Sequence, residues 1–326
     1  MRNWKYLMLP FCLWLVLPSL VLAQAPARDL RVGLLYGGLT EAMPSRIDAV
    51  TKGVRETFRS EGRRVEILPR AAEGDPARLP VLANEVVAAK VDVLVAAGPP
   101  AVRAARAAAA AIPVVALDLE TNPVEAGLVT SLAHPGGNLT GVFFDFPDFG
   151  AKWLELLREA APNLSRIAVF WDPSTGTMQL KAVEAVASSM GFRLQVVEVS
   201  EARNVEQAFR TAQDLKAEEI VFLSSPIFGS IPEISAKMAF EHRFPAISMF
   251  PEFAKTGGLL AYGPDPFDLF RQTGTMVGKV LAGTAPADLP VERPARFQLI
   301  VNLKTARALG LTIPTGLLIR ADEVIE

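Results

Sequence analysis

"VDVLVAAGPPAVRAARAAAAAIPVVAL" (Val91 to Leu117) decides how the rest of the chain is read. An apolar run ends abruptly at Gly98-Pro99-Pro100, a small-residue helical segment follows, and a second apolar run closes the stretch. The runs are apolar at nearly every position instead of alternating, as strands are when helices cover both faces of a sheet. A strand, a helix of ~10–15 residues and another strand imply a right-handed βαβ unit. Pro100 suits a first helical turn, where its missing N–H is no loss. Gly98 lets the backbone come close to whatever lies beyond the strand end.

The same alternation extends outward. Upstream, "RVGLLYG" (31–37) is a strand, "SRIDAVTKGVRETFRSEG" (45–62) an amphipathic helix closed by Gly62, "VEILPRA" a strand and "PARLPVLANEVVAAK" a helix. Downstream the pattern restarts with "GVFFDF" and the helix "FGAKWLELLREAAP". Then follow "RIAVFWD" (166–172), "MQLKAVEAVASSMG", "FRLQVVEVS", "NVEQAFRTAQDLKAEE", "IVFLSS" (220–225), a helix near 231–243 and "FPAISMF". "RVGLLYG" matches "RIAVFWD", and "VDVLVAAGPP" matches "EEIVFLSSPI", a repeat at the scale of a domain. The tail adds a strand at 257–263, a helix from Asp265, the strand "RFQLIVN" and the helix "LKTARALG". The expected fold is α/β, two doubly wound parallel-sheet lobes. The chain recrosses to the first lobe and then returns, so that three segments form a hinge. The expected first lobe is 28–142 plus about 260–284, and the second 143–259 plus about 285–326.

Composition narrows the function classes. The 326 residues suffice for two domains, half are hydrophobic, and the formal net charge is −2. No basic face is apparent, so no nucleic-acid partner is expected. The first residues have the pattern of a secretory signal peptide: Arg2 and Lys5, an apolar stretch from Tyr6 to Leu22 broken by Pro10 and Pro18, and Val21-Leu22-Ala23. Residues 1–23 are expected to be removed by cleavage after Ala23. An uncleaved anchor is disfavoured by the short, proline-broken segment. The only cysteine, Cys12, would leave with it, ruling out disulfides, thiolate catalysis and Cys-ligated metals. The remaining 31 basic and 35 acidic side chains describe a mildly acidic protein that suits a bacterial periplasm.

Catalytic constellations are scarce. His134 lies in the turn sequence "AHPGGN" and His242 at a helix end, far apart and outside any ligand-spaced motif. No Gly-x-Ser-x-Gly elbow occurs. "GTMVGK" (274–279) has the wrong spacing for a phosphate loop and falls inside a helix, and "GLLYGG" lacks Gly-x-Gly-x-x-Gly. No cofactor and no metal are expected. What remains is a set of loops at strand C-terminal ends, where open α/β sheets bind ligands. In the first lobe these place Tyr36, Gly37, Gly98, Pro99 and Asp118. In the second they place Trp171, Asp172, Ser224, Ser225, Phe250, Glu252 and Tyr262. The aromatics offer flat apolar walls, the hydroxyls and helix-start N–H groups offer anion partners, and the carboxylates could meet an ammonium. Such a mix suits a small zwitterionic or aromatic solute. Each residue also has a structural alternative: strand-end aromatics often cap a core, and Asp before Pro often caps a turn.

"PVEAGLVTSLAHPGGNLTG" (123–141), "LLAYGPD" (259–265), "PADLPVERPARFQLIVNLKTARALGLTIP" (286–314) and "LLIRADEVIE" (317–326) resemble the bacterial ABC-transporter substrate-binding protein family that includes tryptophan- and tyrosine-type transport proteins. The resemblance covers essentially the whole chain after the leader. It implies a type-I periplasmic-binding-protein fold and a ligand trapped between lobes by hinge closure. It also implies a monomer that serves the permease subunits of an ABC importer. Three departures stand out. The family usually carries Gly-Thr-Pro or Gly-Ser-Pro where this chain has Gly98-Pro99-Pro100, so a hydroxyl is missing there. Ser224 and Ser225 across the cleft are therefore expected to do more of the holding of a carboxylate. The family's Asp-Pro-Val reads Asn122-Pro123-Val124, and its Arg-Pro-Gly-Gly-Asn reads His134-Pro135-Gly136-Gly137-Asn138. Competing readings are a ligand-sensing module for a receptor and a secreted α/β enzyme using Asp172 or Glu252. The enzyme would need a general base with a partner, and none stands at a readable spacing.

Overall fold

A computed structural model describes residues 28–59, 63–144 and 147–326. The leader and Gly62 lie outside the described residues. The first sheet is laid down by β1 (Leu30–Tyr36), α1 (Met43–Thr57), β2 (Val65–Ala71), α2 (Leu79–Ala88), β3 (Val93–Ala97), α3 (Pro99–Ala108), β4 (Val114–Asp118) and β5 (Leu139–Phe143). Its order is β2-β1-β3-β4-β5, with every neighbouring pair parallel. All five residues of β3 and of β4 are buried, because alternate side chains feed two separate cores. Leu35, Leu94 and Ala96 pack under α2 and α3. Leu34, Val93 and Val95 pack on the other face against α1. The α3 helix begins with Pro99 and Pro100 in its first turn and buries Ala101, Val102, Ala104 and Ala105. Gly98 precedes it at φ 90° and ψ 153°, a backbone conformation open essentially only to glycine.

The second lobe follows with α4 (Pro147–Ala160), β6 (Arg166–Trp171), α5 (Met178–Ala187), β7 (Arg193–Glu198), α6 (Val205–Asp214), β8 (Glu219–Phe222), α7 (Pro232–Glu241), β9 (Ala246–Ser248), α8 (Pro251–Lys255) and β10 (Leu260–Pro264). After α9 (Pro266–Leu281) come β11 (Phe297–Asn302), α10 (Leu303–Leu309), α11 (Thr315–Arg320) and β12 (Glu323–Ile325). The seven strands run β12-β11-β10-β9-β8-β6-β7. Phe170 and Phe222 face Phe209 of α6 on one side of this sheet. Val169 and Val221 lie on the core side shared with Trp153 and Leu157 of α4.

Two expectations are corrected. The recrossing does not begin near residue 260, because β10 is hydrogen-bonded between β9 and β11 in the second sheet. Only from Asp265 does the chain return to the first lobe, where α9 packs along α1. The stretch after α9 also stays there: Glu292 N–H donates to Gly141 O, and Phe143 N–H donates to Glu292 O. The third crossing therefore falls at 293–296 and not near 285. The second correction concerns strand direction. β10 and β11 are antiparallel, with Pro264 opposite Phe297. The chain leaves the sheet and re-enters it at the same end, so the returning strand must run back. No helix among the described residues is long and apolar enough to cross a membrane.

The α1–α9 contact explains the glycines of "GTMVGK". A Cβ on Gly274 would stand 2.3 Å from Val50 O, and one on Gly278 would stand 2.2 Å from Thr57 Oγ1. Gly53 meets α9 as closely, its Cβ position 1.9 Å from Arg271 O. These glycines let two helix backbones touch. They fasten the returning helix to the first lobe.

Candidate functional site

The C-terminal ends of the two sheets face each other, and the loops that leave them touch. Pro226, after β8, enters the space left by two glycines of the first lobe. A Cβ on Gly98 would lie 2.5 Å from Pro226 Cγ, and one on Gly37 would lie 3.3 Å from Pro226 Cβ. Hydrogen bonds cross beside this contact. The Ser230 and Tyr36 hydroxyls are 3.1 Å apart, and Leu39 N–H donates to Ser230 Oγ at 3.1 Å. Arg46 Nη2 donates to Tyr36 Oη at 2.9 Å and to Gly229 O at 3.4 Å. The Ser224 hydroxyl donates to Glu120 Oε1, and Arg103 Nη2 donates to Ser174 O at 2.6 Å. The lobes are closed on each other.

Between them remains a cavity of about 50 Å³. The first lobe contributes Tyr36, Arg46, Gly98, Leu117, Leu119 and Glu120 to its wall. The second contributes Ser224, Ser225, Pro226 and Phe250, and the returning helix adds Leu269 and Phe270. The lining thus combines aromatic and aliphatic side chains with hydroxyl, carboxyl and guanidinium groups.

One buried carboxyl, Glu120, lines the cavity, and two more, Asp118 and Asp172, are buried near it. Burial and the neighbouring Asp118 push the Glu120 carboxyl above its usual range, against the Ser224 hydroxyl, which lowers it. Burial also raises Asp118, opposed by hydrogen bonds from Thr121 and Glu120. Asp172 is raised by burial too, opposed by hydrogen bonds from Ser174 and Ser225. In each case removal from water disfavours the charged form more than local donors favour it.

Of the residues expected from the sequence, Tyr36, Gly98, Ser224, Ser225 and Phe250 converge on the cavity, and Gly37 adjoins it. Pro99 and Asp118 line a separate groove beside α3, with Arg103 and Arg106. Asp172 caps the turn at Pro173–Thr175 and accepts from the Ser225 hydroxyl at 2.8 Å, so it braces the wall from behind. Trp171 is half-buried, its indole N–H donating to Gly176 O at 2.8 Å. Tyr262 stacks on Phe149 with ring centroids 5.0 Å apart, beside the second and third crossings. Glu252 lies exposed on α8, a short helix that "FPEF" did not announce. Sequence reasoning missed Arg46, Glu120 and Pro226. Glu120 and Pro226 sit in loops that were singled out. Arg46 sits on α1, where an arginine in an amphipathic helix looks like any solvated charge.

A family model described as ABC transporter substrate binding protein matches residues 40–325. A tyrosine-binding protein of Clostridioides difficile is 28% identical over 262 residues, which are 80% of this chain and 75% of that one. Among solved structures, an ABC domain from Streptococcus pneumonia in complex with L-Trp superposes with a TM-score of 0.80 at 25% identity, over 91% of this chain and all of that one. The ligand-free, open structure of a substrate-binding protein with adhesive properties from Clostridium difficile covers 91% of this chain and 99% of its own at 26% identity, with a TM-score of only 0.62. The better match to the complex accords with lobes that already touch.

Proposed function

The chain belongs to the ABC transporter substrate-binding protein family, and on that premise we propose that it is the periplasmic solute receptor of an ABC importer, closing its two lobes over one small solute. The family is one of non-enzymatic solute binders with the type-I periplasmic binding fold, working with transporter permeases. The proposal includes the importer, a periplasmic location after removal of 1–23, and a monomeric state. The observation that carries it is the closed interlobe cavity, walled by both sheets and crossed by the Tyr36–Ser230 and Glu120–Ser224 hydrogen bonds.

The mechanism is hinge closure about the three crossings. Solute binds the loops of one lobe in the open form, and contacts with the second lobe then shift the population toward the closed one. The closed form presents both lobe surfaces together to a permease. The apolar walls, and the ligands named for the relatives, favour an aromatic amino acid or a related amphipathic metabolite. A thermal-shift screen of amino acids, aromatic acids and nucleosides, followed by small-angle scattering, tests the reading. A stabilising compound is expected to reduce the radius of gyration. A protein that no compound stabilises or compacts, or that chemically converts what it binds, contradicts it.

A further inference from the structure

Arg46 stands on the cavity wall without the partners a half-buried cation needs. Its guanidinium lies over the Tyr36 ring, 4.6 Å from the centroid, and 5.4 Å from that of Phe270. Nη1 donates to Ala42 O at 2.8 Å, and Nη2 to Tyr36 Oη and Gly229 O. Nε is buried and has no hydrogen-bond partner, and Arg46 forms no ion pair among the described residues. A cation partly withdrawn from water with neither counter-charge nor a full set of acceptors is costly.

The other polar groups of the wall are already engaged. The Ser224 hydroxyl donates to Glu120, and the Ser225 hydroxyl donates to Asp172. Glu120 Oε2 accepts Leu119 N–H at 3.2 Å. The serines expected to hold a carboxylate therefore spend their hydroxyl protons on the protein's own acids. The donor of the wall left without a protein partner is Arg46 Nε.

Resting on the function proposed above, we propose that the solute carries a carboxylate and that Arg46 receives it. Its Nη groups are held by the protein, and its unmet Nε–H on a permanently charged guanidinium suits a carboxylate. The rest of the solute faces Leu117, Leu119, Phe250 and Phe270 and is apolar. About 50 Å³ is free with the lobes this close, so a body with an aromatic ring holds them further apart than they stand here. The class is small monocarboxylates with an aliphatic or aromatic body, with or without an amino group.

Calorimetry on the full chain tests this with matched probes: phenylacetate against phenylacetamide, and L-tyrosine against L-tyrosinamide. At least one acid is expected to bind, and its amide about 30-fold more weakly, the scale of a lost charge-assisted hydrogen bond. Arg46→Gln also loses the bond to Gly229 O and so weakens both probes, but it is expected to weaken the acid by a further similar factor and thereby to close most of the gap between acid and amide. Arg46→Lys, which keeps the charge but loses the Nε donor, is expected to fall between. Melting of the unliganded variants checks that both are folded. Equal affinity of acid and amide overturns the inference, as does an Arg46→Gln variant that binds the acid like the wild type. Closure on a neutral or cationic solute, with every acid rejected, overturns it and leaves the solute-receptor reading intact. If no compound of any class binds, both fall.

Discussion

Gly98→Ala separates closure from folding. The substitution has two costs that act on different states. At φ 90° and ψ 153° any side chain strains the backbone by roughly 1–3 kcal/mol, in the open and closed forms alike. The collision with Pro226 exists only when the lobes meet. The added Cβ would lie 2.5 Å from Pro226 Cγ, where carbon atoms normally stand about 3.5–4.0 Å apart. Relief needs the lobes to part there by about 1 Å, or Pro226 to move. Overpacking of this kind costs about 1–3 kcal/mol, which corresponds to a loss of solute affinity of roughly 5- to 150-fold. The assay is calorimetry with a solute found by the screen, with scattering to report compaction and melting to report the backbone cost. Pro226→Ala removes the offending Cγ, so the Gly98→Ala/Pro226→Ala pair should regain most of the affinity without regaining the stability. A Gly98→Ala variant that binds within twofold of wild type refutes the reasoning. So does an affinity loss that is unchanged in the Pro226→Ala background, because an additive result means the two sites do not meet.

Three further substitutions test other parts of the structure. Burial pushes Glu219 up to about 8, and neither of its carboxyl oxygens has a hydrogen-bond partner. Between its ordinary value of 4.5 and about 8 the folded chain alone holds that proton, so stability falls as pH rises through this window; Glu219→Gln should flatten the trend and gain on the order of a few kcal/mol at pH 8 in urea melts, and an unchanged slope contradicts it. Gly274→Ala should lower stability by about 1–3 kcal/mol, because its Cβ meets Val50 O at 2.3 Å; an unchanged melting temperature would show that α1 and α9 are not so closely packed. Closure buries Glu120, whose carboxyl is then raised, so closing favours its protonated form. Solute affinity should therefore weaken as pH rises through the raised value, and Glu120→Gln should remove that part of the dependence; equal slopes for variant and wild type exclude it.

The architecture was legible because its signal is local and repeated. Apolar runs such as "VLVAA" and "VVAL", joined by a helix, can hardly be anything but parallel strands covered on both faces, and β3 and β4 are buried at every position. The crossings were less legible. Nothing local in "GGLLAYGPD" says which sheet β10 joins; that is decided by Leu260 and Ala261 pairing with β9 and by Phe297 returning opposite Pro264. The terminal pieces α11 and β12 were missed because short elements carry little periodicity; β12 is held by pairing with β11, and α11 by packing on α4. At the site, the strand-end rule found Tyr36, Gly98, Ser224, Ser225 and Phe250. It also gathered Trp171, Asp172 and Tyr262, which sit at strand ends but spend their polar groups or rings on the lobe's own structure. Arg46 escaped because a helix position three residues after Met43 has no sequence mark that it overlooks a cleft.

The placement of Arg46 also bears on why the receptor should need a solute to stay shut. Several contacts already favour closure without one, among them Pro226 against Gly98 and Gly37 and the Ser230 hydroxyl near Tyr36. If these alone sufficed, the closed form would dominate when empty, and a permease could not tell loaded from unloaded receptor. A ligand shifts such an equilibrium only by its differential affinity for the two states, and moving it from 1:99 to 99:1 takes about 5.5 kcal/mol. In the closed form Arg46 Nε is shut away from water without a partner, and Glu120, bonded across the cleft to Ser224, is held above its ordinary range by burial. These desolvation costs oppose empty closure. A carboxylate at Arg46 removes one of them only in the closed state, which is the differential interaction that population shift requires.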